Sequence, residues 1–412
     1  MHIALLAYGS RGDVQPCIAL SVGLRRAGHT VTLAAPASFA PLAAAHGSTF
    51  APLPADVVQF SRALAERAGR NPFAQARVMG AHTRAIAVAV LGCLRAAVPG
   101  ANRIVHTFTT TSTDHLLATE LGVSDVSVHL FPFFAPYATF PNVTVPAPSL
   151  GPTLNRLTHH LATQFFAQSS RLLYAWLRRR HPTIGPTRLP WPALGVRTPL
   201  LLAYSPLVVG TTPAGLPLAH TTGFWTLDVP TEYQPPPALA AFLAVGPPPV
   251  SVGFGSMVPH DAPRMVATIL AALRRTGQRV VFQRGWAGLG DGARGNDVLT
   301  IDEAPHMWLF PRMAAVIHHG GAGTTAAALR AGMPSLAVPF TADQPFWGRR
   351  AHRLGVGPPP IPAHALTADA LAAALPLLAD PATRRRAAAV GTVLRAEDGV
   401  GTAVRAIEEA QR

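Results

Sequence analysis

One pattern constrains this chain more than any other, and it occurs near both ends: a continuous apolar run, a glycine turn, an amphipathic stretch and a second apolar run. Ile3 to Tyr8 is apolar throughout, as a strand buried on both faces requires, and the turn GSRGD follows it. From Gln15 to Ala27, Ile18, Ala19, Val22 and Leu24 recur at helical spacing, with Pro16 suited to a first turn and Gly28 to the C-terminus. Val31 to Ala34 is the second strand. A strand-helix-strand unit of this kind predicts a parallel sheet covered by helices. Arg103 to Val105 and Val126 to Leu130 extend it, Ser61 to Val98 reads as one or two amphipathic helices, and Leu154 to Arg180 is also helical in character.

A second alternation begins after the proline-rich segment TLDVPTEYQPPPALAAFLAVGPPP, which is stiff and poor in periodic apolar residues, as a linker is. Pro249 to Phe254 is a strand, followed by the turn GFGSM and a helix ending at Gly277. Further strands are expected at Arg279 to Phe282, Val298 to Ile301, Ala315 to Ile317 and Ser335 to Val338. The expected organisation is a first domain over residues 1–224, a linker over 225–240, a second domain over 241–390 and a C-terminal helical segment over 391–412. Its helix, Asp398 to Ala410, can pack across either domain. The expected class is α/β, two facing Rossmann-like doubly wound domains, with the active site in the cleft between them, because ligands of such sheets bind beyond the carboxyl ends of the strands.

Composition excludes several alternatives. Of the 412 residues 49% are hydrophobic and 13% charged, which is a folding chain and not a disordered one. Arg, His, Pro or Gly interrupts every apolar stretch before the ~20 residues a membrane span needs. The opening MHIALLAYGSRGD has no basic segment and too short an apolar run for a signal peptide, so a cytoplasmic location is expected. Cys17 and Cys93 are the only cysteines, and neither has a neighbour at metal-ligand spacing. The net charge of +14 comes wholly from arginine, since the chain has no lysine. The arginines are scattered, apart from Arg178 to Arg180 and Arg384 to Arg386, which argues for a coding bias over a nucleic-acid partner. Peripheral contact with an anionic membrane stays open.

The stretch AAVIHHGGAGTTAAALRAGMPSLAVPFTADQP, Ala314 to Pro345, carries the most chemistry. Gly320, Gly321 and Gly323 let the backbone approach a ligand closely, and a helix starting near Thr324 points its unpaired N–H groups into the loop, which suits a diphosphate. His318 or His319 can add a hydrogen bond or positive charge, and Thr324 and Thr325 offer hydroxyls. The plain alternative is a tight strand-to-helix turn with two surface histidines. Asp343 and Gln344 follow the next strand and can accept from and donate to adjacent sugar hydroxyls.

With these motifs the chain resembles the nucleotide-sugar-dependent glycosyltransferases with two Rossmann-like domains, the GT-B UDP-glycosyltransferase family, and within it the bacterial antibiotic and sterol or lipid branches. GSRGDVQP, TGFW at Thr222 to Trp225, VGFGSM at Val252 to Met257, HHGGAGTT at His318 to Thr325 and DQPFWG at Asp343 to Gly348 carry the likeness over nearly the whole chain. The resemblance implies that the second domain binds a nucleotide sugar, UDP-glucose or a dTDP-deoxysugar, as co-substrate. It implies that the first domain binds a small-molecule acceptor, that transfer inverts the anomeric centre, and that no metal or other cofactor takes part. No nucleic-acid partner is expected, and the oligomeric state, monomer or dimer, stays open.

Carried over residue by residue, His318, His319, Gly320, Gly321, Ala322, Gly323 and Thr324 match the diphosphate loop, Ser256 a hydroxyl near the phosphates, and Asp343 with Gln344 the sugar-hydroxyl pair. Ala304, Pro305 and His306, after Glu303, stand where plant relatives stack a tryptophan on uracil. Trp308, nearby, is a stacking group or a core aromatic, and the position of the plant ribose-binding glutamate falls on Ala327. Asp13, in the frame Gly12 to Pro16 beside Ser10 and Arg11, matches the acceptor-activating base of the antibiotic and sterol branches, where plant members carry a histidine. Taken alone, Asp13 reads as a turn residue or a helix cap.

The strand aspartate that plant enzymes pair with their histidine is replaced at Ile104 to Thr107 by His106 or a neighbouring Thr. His106 and Asp114 are more simply read as satisfied polar residues than as catalysts. The aromatic run LFPFFAPYATFP, Leu130 to Pro141, walls an apolar acceptor pocket or packs on its own core. The expected acceptor is a sterol, polyketide, macrocycle, flavonoid or lipid. A sugar-nucleotide epimerase of similar fold, or a basic nucleic-acid or membrane-surface binder, is the alternative.

Overall fold

The structure is a computed structural model that describes residues 1–53, 72–97, 100–145, 147–259 and 261–410. It divides into two compact units, Met1–Leu227 with Asp398–Arg412, and Asp228–Glu397. Of the helical stretch expected over Ser61 to Val98, residues 61–71 and Val98 lie outside the described residues.

The first unit runs β1 (His2–Leu6), α1 (Arg11–Arg26), β2 (Thr30–Pro36), α2 (Ala40–Ala45), β3 (Thr49–Leu53), α3 (Pro72–Ala97), β4 (Arg103–Thr107), α4 (Thr111–Leu121), β5 (Ser124–His129), α5 (Pro152–Arg180), β6 (Leu200–Leu202), α6 (Pro206–Val209) and β7 (Ala219–Thr221). The strands form one sheet in the order β3-β2-β1-β4-β5-β6-β7, and every described pairing is parallel. Alternate residues of β1 enter opposite cores: Ile3 and Leu5 meet Val14, Ile18 and Leu24 of α1, whereas Ala4 and Leu6 meet Ile104, Leu116 and Tyr174. Burial on both faces is why β1 reads as an unbroken apolar run. Helix α1 begins four residues before the expected Gln15, because Ser10 takes the N-cap position and Asp13 the third helical place. Pro16 therefore sits inside α1, where it has no N–H to give the Gly12 carbonyl.

The second unit runs α7 (Pro237–Ala244), β8 (Val250–Gly253), α8 (Ala262–Arg275), β9 (Val280–Gln283), β10 (Val298–Ile301), α9 (His306–Leu309), β11 (Ala315–His318), α10 (Ala322–Arg330), β12 (Ser335–Ala337), α11 (Gln344–Arg353), α12 (Ala368–Ala379) and α13 (Pro381–Ala396). Its sheet, β10-β9-β8-β11-β12, is also parallel. Both sheets are thus doubly wound: strand order reverses between β1 and β4 in one and between β8 and β11 in the other, the places where such folds bind ligands.

The chain then returns to the first unit. The terminal helix expected over Asp398 to Ala410 is α14 (Gly399–Glu409), while the start of the 391–412 segment belongs to α13; Asp398 caps α14, its carboxylate accepting from the Gly401 N–H at 2.8 Å. Helix α14 lies so close on α1 that a Cβ on Gly23 would come within 2.3 Å of Val400. The buried Arg103 guanidinium, whose pKa burial lowers, donates to the carbonyls of Ile407 and Ala410 at the end of α14. Strands β3, β6 and β7 were not expected from sequence: β3 contains Pro52, and the other two have three residues each.

Candidate functional site

In the second unit three segments converge at the reversal point. His318 ends β11 in register with Gly253 at the end of β8, where the turn carrying Ser256 begins. Gly320 has φ +86°, and a Cβ there would stand 2.8 Å from the Gln344 carbonyl oxygen. A Cβ on Gly255, φ +56°, would stand 3.3 Å from Cε1 of His319, and Gln344 Nε2 donates to Met257 Sδ at 3.1 Å. The turn after β8, the glycine loop and the Asp343-Gln344 segment are therefore held to one another by contacts that admit no side chain at Gly320.

The start of α10 offers donors that an anion could use. Gly321 caps α10 without a side chain, no acidic residue occupies the first turn, and the Thr325 N–H already bonds the Gly321 carbonyl at 2.9 Å. The first N–H groups of α10, from Ala322, Gly323 and Thr324, thus have no side-chain acceptor, and the positive end of the helix dipole is there with them. His318 Nδ1 accepts the Gly320 N–H at 3.0 Å, so its proton resides on Nε2, which is buried and has no partner among the described residues. Burial, then His319 and His306, lowers the His318 pKa to about 3, and burial lowers that of His319 to about 4. Both rings are neutral near pH 7. In this state each ring can offer a hydrogen bond but carries no charge.

Asp343 precedes α11, and one of its oxygens accepts the Trp347 indole N–H at 2.7 Å. The residue before it, Ala342, has φ +56°, the only positive φ outside glycine among the described residues. A strain of about 1–2 kcal/mol is thus held in the turn that presents the carboxylate. Gln344 is turned inward: its Oε1 accepts the N–H groups of Phe340 and Thr341 at 2.8 and 3.1 Å. Ala304 is buried, Pro305 caps α9, and His306 stacks on Phe310 with centroids 4.4 Å apart. Trp308 meets Tyr233 edge-on at 5.6 Å, lies under the Arg312 guanidinium and borders the core, and Ala327 is buried in that same core.

In the first unit Asp13 lies just beyond β1 at the other reversal point. Its Oδ2 accepts the Ser10 N–H at 2.8 Å and the Ser10 hydroxyl at 3.0 Å, while Oδ1 has no hydrogen bond from the described residues. Gly9, φ +146°, makes room for it, since a Cβ there would stand 2.3 Å from Oδ2. Desolvation raises the Asp13 pKa against the lowering effect of both Ser10 hydrogen bonds. A half-buried carboxylate with one oxygen anchored and the other open, and with raised affinity for a proton, is equipped to act as a general base. Arg11 turns aside to Gln15 at 2.9 Å, and Gly12 is exposed.

Behind β4 lies a buried polar cluster that the sequence showed only in part. His106 and His115 both bond Asp125 Oδ2, at 3.1 and 2.9 Å. Burial works to raise the Asp125 carboxyl, but the hydrogen bonds and charges of the two histidines outweigh it and hold it well below the carboxylate range. Asp114 is fully buried, with neither oxygen hydrogen-bonded among the described residues, and burial pushes it up to about 7. Asp125 and His115 were missed; an acid at the head of the apolar strand run SDVSVH was the available signal. Thr107 Oγ1 accepts the Tyr8 N–H at 3.5 Å.

The aromatic run packs largely on its own core. Phe133 and Phe134, centroids 4.8 Å apart, are buried beside Trp191 and pack on the half-buried rings of Phe108 and Phe166, and Asn142 and Asn155 donate to the loop carbonyls of Phe133 and Ala138 at 2.7 Å each. Among the described residues no cluster of His, Cys, Asp and Glu is placed to hold a metal ion, and no helix is long and apolar enough to cross a membrane.

Two doubly wound parallel sheets, with a glycine loop at the reversal point of the second, are the architecture of the GT-B class. Residues 3–107 match the Glycosyltransferase family 28 N-terminal domain, and residues 285–399 match the C-terminal domain described as Erythromycin biosynthesis protein CIII-like. The chain is 37% identical to O-mycaminosyltylonolide 6-deoxyallosyltransferase of Streptomyces fradiae, covering 99% of this chain and 97% of that protein. It is 32% identical to Sterol 3-beta-glucosyltransferase UGT80A2 of Arabidopsis thaliana over 98% of this chain, and spans 65% of that protein's length. The solved structure of the glycosyltransferase of kitacinnamycin shares the fold, with a TM-score of 0.70 at 20% identity, covering 99% of this chain and 98% of the other. The chain belongs to the family of antibiotic and sterol glycosyltransferases.

Proposed function

We propose that this enzyme transfers a hexose or deoxyhexose from a UDP- or dTDP-sugar to a hydroxyl of an apolar small molecule, with inversion at the anomeric carbon. The observation that carries the reading is the Asp13 carboxylate, anchored through Oδ2 to Ser10 and open at Oδ1. The acceptor hydroxyl gives its proton to Oδ1 as its oxygen bonds to the anomeric carbon. The bond from that carbon to the β-phosphate oxygen breaks, and the nucleoside diphosphate leaves with the electron pair.

The N–H groups at the start of α10 and His318 Nε2–H face the growing charge on the leaving group, while Asp343 accepts from a sugar hydroxyl. Gln344, with its oxygen engaged, offers its remaining amide hydrogen. Ala304 to His306 border the base, and Ser256 the phosphates. The reading needs no metal ion. A relative named for 6-deoxyallosyl transfer and another for glucosyl transfer to a sterol support both the sugar range and an apolar acceptor. A cytoplasmic setting suits two unpaired cysteines.

The test is a mass-spectrometric screen of UDP- and dTDP-sugars against sterol, macrocycle, polyketide and flavonoid acceptors, with proton NMR of the anomeric centre of the product. One added sugar mass with inverted configuration is expected. Hydrolysis or epimerisation of the donor without transfer, across the panel, contradicts the reading.

A further inference from the structure

Helix α5 has an apolar stripe on the wrong side. Its inner face, Asn155, His159, Ala167, Ser170, Leu173 and Leu177, is buried against the first unit. At 100° per residue, Leu154, Leu157, Leu161, Phe165 and Leu172 fall together on the opposite face, and they are 51%, 47%, 60%, 66% and 74% exposed. From Leu154 to Leu172 the stripe runs roughly 27 Å at 1.5 Å per residue. Scattered exposed leucines are ordinary, but four leucines and a phenylalanine on the outer face of a single helix make an apolar ridge, interrupted by Gln168 between Phe165 and Leu172.

Charge says what such a face meets. Helix α5 has no acidic residue, and it carries Arg156, Arg171 and Arg178 to Arg180, with His160 exposed beside the stripe. The asymmetry extends well beyond the helix: from Val126 to Leu227, 102 consecutive residues, the chain has seven arginines and neither aspartate nor glutamate. Arg180 lies over the Trp176 ring at 4.3 Å, which places an aromatic and a cation at the end of the stripe. An apolar ridge on a helix that carries cations and no anion of its own is complementary to a bilayer with anionic headgroups: leucine and phenylalanine enter the acyl boundary while arginine meets phosphate.

We propose that the outer face of α5 docks the enzyme on an anionic lipid surface, lying in the plane of the headgroups. This is peripheral attachment, and it holds whichever hydroxyl the enzyme glycosylates.

The experiment is co-sedimentation of the full chain with phosphatidylcholine vesicles containing 30% phosphatidylglycerol, and with phosphatidylcholine alone, over a salt series. Binding to the anionic vesicles is expected, reduced about tenfold or more by the double variant Leu161→Gln, Phe165→Gln and weakened by salt. The triple variant R178Q, R179Q, R180Q is expected to lose the preference for anionic lipid. Unchanged circular dichroism and melting temperature keep the comparison fair, because all the changed residues lie off the buried face. Absence of binding, binding indifferent to the double variant, or a wild-type dimer that the double variant converts to monomer overturns the proposal, the last in favour of a second copy of the chain.

Discussion

Gly9 and Asp13 occupy space that only this pair of residues can share. A Cβ on Gly9 would lie 2.3 Å from Asp13 Oδ2 and 2.5 Å from its Cγ, at a backbone φ of +146° that side chains rarely adopt. The glycine after β1 is thus part of the carboxylate's setting, and the GSRGD turn is a frame built around one acid. Gly9→Ala is expected to cost about 1–3 kcal/mol of stability and to lower transfer more than tenfold by displacing the carboxylate. Melting curves and steady-state rates of the same preparation check both, and a fully active Gly9→Ala enzyme speaks against the frame.

Gly320 plays the matching part in the second unit, with the Gln344 carbonyl 2.8 Å from where its Cβ would be. Gly320→Ala is expected to raise the nucleoside diphosphate Kd at least about tenfold, by forcing the glycine loop away from the segment that presents Asp343. Calorimetric titration with UDP and dTDP reads this directly.

His318 is neutral throughout the physiological range, since its pKa lies at about 3. Affinity for a nucleoside diphosphate is therefore expected to show no inflection near pH 6.5 arising from this ring. His318→Leu removes a hydrogen bond to a charged ligand worth about 1.5–3 kcal/mol, or roughly ten- to a hundredfold in Kd. An inflection near pH 6.5 that vanishes in His318→Leu goes against the neutral form.

The residues show why some of this was legible in the sequence and some was not. Strands β1 and β8 are covered on both faces, so their apolar runs stand out; Gly320 marks a place where backbone meets backbone, and Gly321 one where the backbone meets the His319 ring. Pro16 suggests a first turn and so a later start for helix α1, whereas the start is set by Ser10 and Asp13 acting together. Strands β6 and β7, three residues each, are too short to show a period. The Asp125 cluster was hidden because its partners, His106 and His115, come from a strand and a helix that only the tertiary fold brings together. The outer stripe of α5 was hidden because periodicity marks a helix as amphipathic without revealing which face is covered.

Asp114 makes the first unit's stability depend on pH. Burial holds its folded pKa up at about 7, against the ordinary carboxyl value of 3.8. Between these values the folded chain binds the extra proton, so stability falls as pH rises from about 4 to about 7, on the order of 4 kcal/mol in all. Asp114→Asn is expected to be more stable than the wild type at pH 8 and to lose that advantage towards pH 4. Melting temperatures at the two ends of the range decide it; parallel curves for the two proteins rule out a buried titrating carboxyl.

The central claim is that Asp13 takes the acceptor's proton, and the most direct measurement is kcat/KM for transfer by Asp13→Asn beside the wild type across pH. Asparagine can still accept the Ser10 N–H, so the cap and the fold are expected to persist. The account predicts a rate lower by about 10²–10⁴, with nucleoside diphosphate affinity unchanged. It also predicts loss of the acid limb, which in the wild type falls above the ordinary aspartate range because burial raises the Asp13 pKa. Turnover by Asp13→Asn close to that of the wild type, with the same pH profile, contradicts it.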